Sequence, residues 1–242
     1  MSATRDEQIK TYGWTALYCD PTRWGGTKDF NTPPKPQLCA DVPIPQTPLV
    51  QKSMAYAEKE LPAHTFNHSM RVFYYGIAIA HQQFPTWTFS TETWLLTCLF
   101  HDIGTIDAHT HGTFLSFEFF GAILALDVLK GYNCPIAQAE SVAEAIIRHQ
   151  DPVETGSIHT IGLLIQLATQ FDNMGYRAGY VHAGTIEDVV KHYPRKNWSG
   201  CFSGKIREEV SVKPWCHTTA LENKFPHDVE HNELMEPYDA ME

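Results

Sequence analysis

Four side chains far apart in the chain are of the right types to share one cation: His68, the adjacent pair His101 and Asp102, and Asp172. Imidazole nitrogens together with carboxylate oxygens suit a borderline divalent ion such as Zn²⁺, or Fe²⁺ or Mn²⁺ where coordination is higher. Singly each residue says little, because the chain holds 13 histidines. Their setting says more. His101-Asp102 follows Trp94, Leu95, Leu96, Cys98, Leu99 and Phe100, and Asp172 follows the run from Leu163 to Ala168. A carboxylate buried in such surroundings needs a paired charge or a metal. The competing arrangement is an ion pair with Arg71 or Arg148, and spacing alone leaves both open.

The elements that must position these residues read as helices. Apolar residues recur at three and four positions over 49–60, 65–84 and 91–103, and no period-two strand pattern stands out. Ser90 is a candidate N-cap, Gly104 a helix stop, and Ser116 with Gly131 brackets the next helix. Pro135 suits the first turn of a helix running to about His149, and 160–174 forms another before Gly175. Weaker signals place a short helix from Thr185 to Tyr193 and one from Gly200 to Val212, stopped by Pro214. Prolines at 33, 34, 36, 43, 45 and 48 keep the early chain out of regular helix. The fold class is all-α: an irregular, proline-rich N-terminal arm over 1–47, a helical domain over 48–220 and a tail over 221–242. Trp14, Tyr18 and Trp24 are the points where the arm packs down.

The 242 residues are 43% apolar and 12% aromatic, enough for a substantial core, and carry a formal net charge of -10. That balance disfavours a nucleic-acid partner, which needs clustered Lys and Arg. Six cysteines lie scattered with no C-x-x-C pair, and Cys98 reads as core packing, which points to a reducing compartment. With no apolar run near the ~20 residues of a membrane span and no basic start leading into an apolar stretch, a cytoplasmic protein is expected, nuclear entry being left open. The aromatic arm and the tail suggest a homo-oligomer.

Taken together, His68, His101-Asp102 and Asp172 resemble the ligand set of the HD superfamily of metal-dependent enzymes. The blocks NHSMRVFYYG (67–76), TCLFHDIGT (97–105), VAEAIIRHQD (142–151), LIQLATQFDNMG (164–175) and KPWCHTT (213–219) narrow the resemblance to the fungal cyanamide hydratases. Residues 1–47 and 176–199 match less well. The resemblance implies a single HD-type domain holding one zinc ion and the hydration of cyanamide, a small-molecule substrate, to urea. Metal-bound water or hydroxide would attack the nitrile carbon, since a divalent ion lowers the pKa of water from about 15.7 toward about 7. The alternative is an HD-type phosphohydrolase acting on a small nucleotide or phosphoester. Against it stands Thr105, which occupies the position where many such enzymes place a lysine or glutamate.

For that reaction the charge left on the nitrile nitrogen needs a proton. His149, closing the helix VAEAIIRH, is the candidate shuttle, its bland reading being a cation at a helix C-terminus beside Arg148. Thr169, with Gln166, shares a helix face with Asp172 and is placed to hold the water or the substrate amine, unless its hydroxyl is spent on the carbonyl four residues earlier. Glu118 is the candidate to orient a ligand histidine, or else an acid in a helix's first turn. His64 reads as surface at a helix start, His109 and His111 as a solvated loop, and Trp215-Cys216-His217 as a pocket or interface closure.

Overall fold

The computed structural model describes residues 3–24 and 32–240; residues 25–31 of the expected arm and 241–242 of the expected tail lie outside them. In chain order the helices are α1 (Arg5–Thr11), α2 (Pro48–Glu60), α3 (Ala63–Gln83), α4 (Thr91–Phe100), α5 (Asp107–Gly112) and α6 (Phe117–Gly131). They continue with α7 (Ile136–Arg148), α8 (Thr160–Met174), α9 (Ala183–His192), α10 (Trp198–Val212), α11 (Lys224–Glu230) and α12 (Glu236–Asp239). The all-α expectation holds, and the caps explain much of it. Ser90 accepts the Thr93 N–H at the head of α4, and Gly175 ends α8 at φ 69°, a left-handed position.

α3 is the axis of the domain. From His68 to Ala80 every side chain is buried, as expected of a helix packed on all sides, and α8 and α4 lie against it. Gly76 permits the closest of these contacts: a Cβ there would stand 2.1 Å from the Trp94 ring, whose Nε1–H donates to the Phe73 carbonyl at 3.0 Å. α6 and α7 pack against each other and on α4, closing the core around Leu95, Leu99, Ile146 and Leu164.

Several expectations are corrected. The arm is not wholly irregular: Thr4 and Glu7 form a capping box that starts α1. Residues Ala16–Tyr18 form a strand, β1, paired antiparallel with β2 (Ser157–His159). Strands of three residues are too short to show alternation, and their pairing spans about 140 residues of sequence, so no local pattern announces them. Trp14 and Trp24 do pack down, Trp14 donating to the Ala137 carbonyl at 2.9 Å and Trp24 lying edge-on to Phe84, whereas Tyr18 is 46% exposed. α4 stops at Phe100, short of Gly104, and a 3-10 turn over Ile103–Thr105 follows. His109 and His111 sit on α5 rather than in a loop, His109 beside Phe120 and His111 paired with Glu208. The tail carries α11 and α12 and is folded back on α10 and α8, with Phe225, Val229 and Met235 buried.

Candidate metal centre and its cavity

His68 stands in the second turn of α3, His101 caps the end of α4, and Asp102 follows in the turn before Ile103. The turn is held in place by Gly104, where a Cβ would meet the Phe117 carbonyl oxygen at 2.0 Å. His68 Nε2 and His101 Nε2 lie 3.1 Å apart, and Asp102 Oδ2 is 3.5 Å from the first and 3.2 Å from the second. Donor atoms of these three buried residues lie within 4.8 Å of one another. Trp198 stacks on His68 at 4.2 Å between ring centres and 14° between planes, shielding it from water.

The far nitrogen of each ring is already committed. His101 Nδ1 pairs with the Cys98 carbonyl at 2.8 Å, and His68 Nδ1 with Asp172 Oδ2 at 2.6 Å. With those N–H groups spent, a neutral ring at either position would turn a bare Nε2 lone pair inward, the usual arrangement behind a metal-bound imidazole. Asp102 is only 1% exposed, and among the described residues neither of its oxygens has a hydrogen-bond partner unless a clustered imidazole carries the proton. One proton shared between the rings would satisfy a single pair; a divalent cation would satisfy both nitrogens and the carboxylate. The donor set therefore fits a divalent metal.

Electrostatics agree at His68 and Asp102 and run the other way at His101. Burial pushes His68 down to about 4, only partly offset by Asp172, so the ring is neutral at pH 7. Burial raises Asp102, but the histidines around it, His101 first, outweigh burial and hold it at about 2. His101 is lowered by burial and raised by more, through the Asp102 charge beside it.

Asp172, on the last turn of α8, borders this three-residue cluster through His68 Nδ1. Its Oδ2 accepts from Arg71 Nη2 at 2.9 Å and its Oδ1 from Arg195 Nη1 at 2.8 Å, in addition to the His68 contact. Both readings open at the sequence level thus occur together, the compact cluster at His68, His101 and Asp102 and arginine pairing at Asp172. Arg148 pairs elsewhere, with Asp151 at 2.7 Å.

A cavity of about 170 Å³ opens beside the cluster, lined by His101, Asp102, His149, Thr169, Asn173 and Phe202 among others. His149 directs Nε2 toward Asp102 Oδ1 at 3.9 Å, with Nδ1 tied to the Ile146 carbonyl at 2.6 Å. Burial and the neighbouring His101 lower its pKa, so it is not the helix-end cation of the bland reading. Thr169 lines the cavity while donating its hydroxyl hydrogen to the Ile165 carbonyl at 2.8 Å, which leaves only lone pairs for a ligand. Gln166 is turned aside, donating to the Arg148 carbonyl at 2.7 Å.

Glu118 does not orient any of the clustered histidines. Its Oε1 meets His217 Nδ1 at 2.8 Å, because α6 faces the segment after α10, a partner 99 positions away. Trp215 is 58% exposed and donates to the Phe114 carbonyl at 2.8 Å, outside the cavity. Sequence reasoning missed Arg195, Trp198 and Phe202. The last two were findable, since Trp198, Phe202 and Ile206 repeat every four residues and start α10 two positions earlier than expected.

Helices that bring a histidine, a His-Asp pair and a distal aspartate to one buried locus define an HD-domain protein, and the HD domain model matches residues 65–174. Two relatives from Saccharomyces cerevisiae, cyanamide hydratase DDI2 and cyanamide hydratase DDI3, are each 42% identical to the chain over 195 residues, covering 79% of it and 85% of the relative. The chain belongs to this cyanamide hydratase family of HD-domain enzymes.

Proposed function

We propose that the chain hydrates cyanamide to urea at one divalent metal ion held by His68, His101 and Asp102, with Asp172 fixing His68 from behind. The observation that carries this reading is Asp102, a buried carboxylate with no donor, facing two bare imidazole nitrogens. Three protein ligands leave an open position, as catalytic sites require and structural sites do not. When bound, the ion supplies hydroxide at neutral pH by lowering the pKa of water. Zinc is the ion assigned, on the family resemblance and the nitrogen-oxygen donor set.

The residues around the ion do the remaining work. Thr169 Oγ1, its own hydrogen spent on Ile165, accepts an N–H from the substrate's amino group and so turns the nitrile carbon toward the cluster. His149 Nε2 takes the proton that the water gives up in becoming hydroxide and returns it to the nitrile nitrogen as the carbon-oxygen bond forms. The isourea so produced becomes urea by moving the hydroxyl proton to the same nitrogen. Trp198 and Phe202, stacked at 4.9 Å, wall the site with apolar rings that exclude bulk water.

The test is urea release from cyanamide by purified protein, with and without a chelator, beside metal quantification and a p-nitrophenyl phosphate control. Chelator-sensitive urea formation with an inert phosphate ester supports the reading; phosphate release without urea overturns it. A cytoplasmic homo-oligomer completes the proposal. Exposed Phe114 and Trp215 support a second copy as the partner, and light scattering showing a purely monomeric mass would count against it.

A further inference from the structure

Outside the cavity lining, a second set of donors converges: Cys39, Asp188 and His192, one thiol, one carboxylate and one imidazole. Their donor atoms all lie within 4.8 Å of one another. Asp188 and His192 stand four residues apart on α9 and share a face. Cys39 arrives from the N-terminal arm, at the head of the 3-10 turn Cys39–Asp41.

The backbone already fixes this approach. The Gln37 N–H donates to Thr185 Oγ1 at 2.8 Å, and the Cys39 N–H to Asp188 Oδ2 at 2.7 Å. His192 Nδ1 lies 2.8 Å from the Asp188 carbonyl and 3.7 Å from its Oδ2, which holds the ring over the carboxylate. Cys39 and Asp188 are half-buried while His192 reaches solvent, so an ion can enter without the fold opening. The set contains no second thiol for a disulfide.

We propose that Cys39, Asp188 and His192 form a second metal site, taking a thiophilic divalent ion, Zn²⁺ before any other, with water in the fourth position. Sulfur with nitrogen and oxygen is a donor set for zinc and not for calcium or magnesium. Binding releases the thiol proton to solvent and leaves the imidazole neutral and the carboxylate ionised. The ion staples residues 37–41 to α9, adding a bridge from Cys39 to Asp188 and His192 to the two hydrogen bonds that already join these segments. This site stands independently of the hydratase reading, because none of its residues lines the cavity.

A spectroscopic test separates the two sites, since only this one contains sulfur. The full chain is stripped by chelator dialysis and titrated with Co²⁺, and the thiolate-to-cobalt charge-transfer band in the near ultraviolet is followed. The expected result is a saturable band in the wild type, kept in His68→Ala, lost in Cys39→Ser and weakened in His192→Ala. Bound zinc should fall by one ion per chain in Cys39→Ser with urea production unchanged, which also shows that the variant folds. A wild type that gives no band at saturating Co²⁺, or a Cys39→Ser variant whose band equals the wild type's, overturns the proposal.

Discussion

Asp172 Oδ2 lies 2.6 Å from His68 Nδ1 and 2.9 Å from Arg71 Nη2, so one oxygen orients an imidazole of the cluster and neutralises a buried guanidinium. Arg195 holds the other oxygen, and the Asp172 carbonyl accepts from Asn232 at 3.0 Å, tying the folded-back tail to the rear of the site. Burial alone would raise this carboxyl; Arg71 and Arg195 outweigh burial and hold it far below the usual range.

Asp172→Asn strips the buried Arg71 guanidinium of its carboxylate partner and leaves Arg195 with Asp239 alone. We expect a loss of about 3–5 kcal/mol in stability, read by denaturant unfolding, and metal affinity weaker by roughly 10- to 100-fold in a direct titration. The pH dependence follows the depressed folded value. The contribution is complete above the ordinary aspartate range and is lost progressively as pH falls from there toward the depressed folded value, so the wild-type advantage over the variant should begin to shrink below about pH 4.

Asp102→Ala removes the carboxylate that has no other partner. Metal content and urea production should disappear together, measured on the same preparation by metal quantification and a urea assay. Full activity in this variant would refute the ligand assignment.

Thr169→Ala keeps the cluster intact and removes an acceptor from the cavity wall. Metal content should be unchanged while turnover falls by about 10- to 100-fold, the value of one well-placed hydrogen bond to the reacting molecule. Unaltered steady-state kinetics would place the hydroxyl outside the reaction and leave it as a helix back-bond.

His217 is raised above its ordinary value, first by its bond to Glu118 and against burial. A group raised in the folded state stabilises fully below its unfolded value and loses that contribution as pH climbs through the folded one. The melting-temperature gap between wild type and His217→Gln should therefore be widest near about pH 6 and close by about pH 9. Because the ring is partly exposed, the pair is worth about 1 kcal/mol or less. A gap that widens with rising pH would contradict the assignment.

The helices that build the site are legible because each is specified locally. Ser90 caps α4 through its own hydroxyl, Gly175 supplies the left-handed stop of α8, and the apolar spacing of 65–84 finds α3 to within two residues. The segments read least well are those whose structure depends on distant partners. β1 exists only because 157–159 lies beside it, and the tail is held by distant partners: Phe225 and Val229 pack with Trp198, Phe202 and Ile206, Arg195 meets Asp239 at 2.7 Å and Asn232 meets Asp172.

The sequence by itself determined the all-α class, the helix ends and the chemical types of the cluster, since propensity, caps and an acid embedded in an apolar run are local properties. Only the tertiary structure decided how the acids divide. Asp102 faces two imidazoles with nothing else to pair with, while Asp172 is taken by Arg71 and Arg195. It likewise gave Glu118 to His217 rather than to a clustered histidine. A side chain's partner is set by which helix faces meet, and that is fixed by packing across the whole core, not by spacing along one helix.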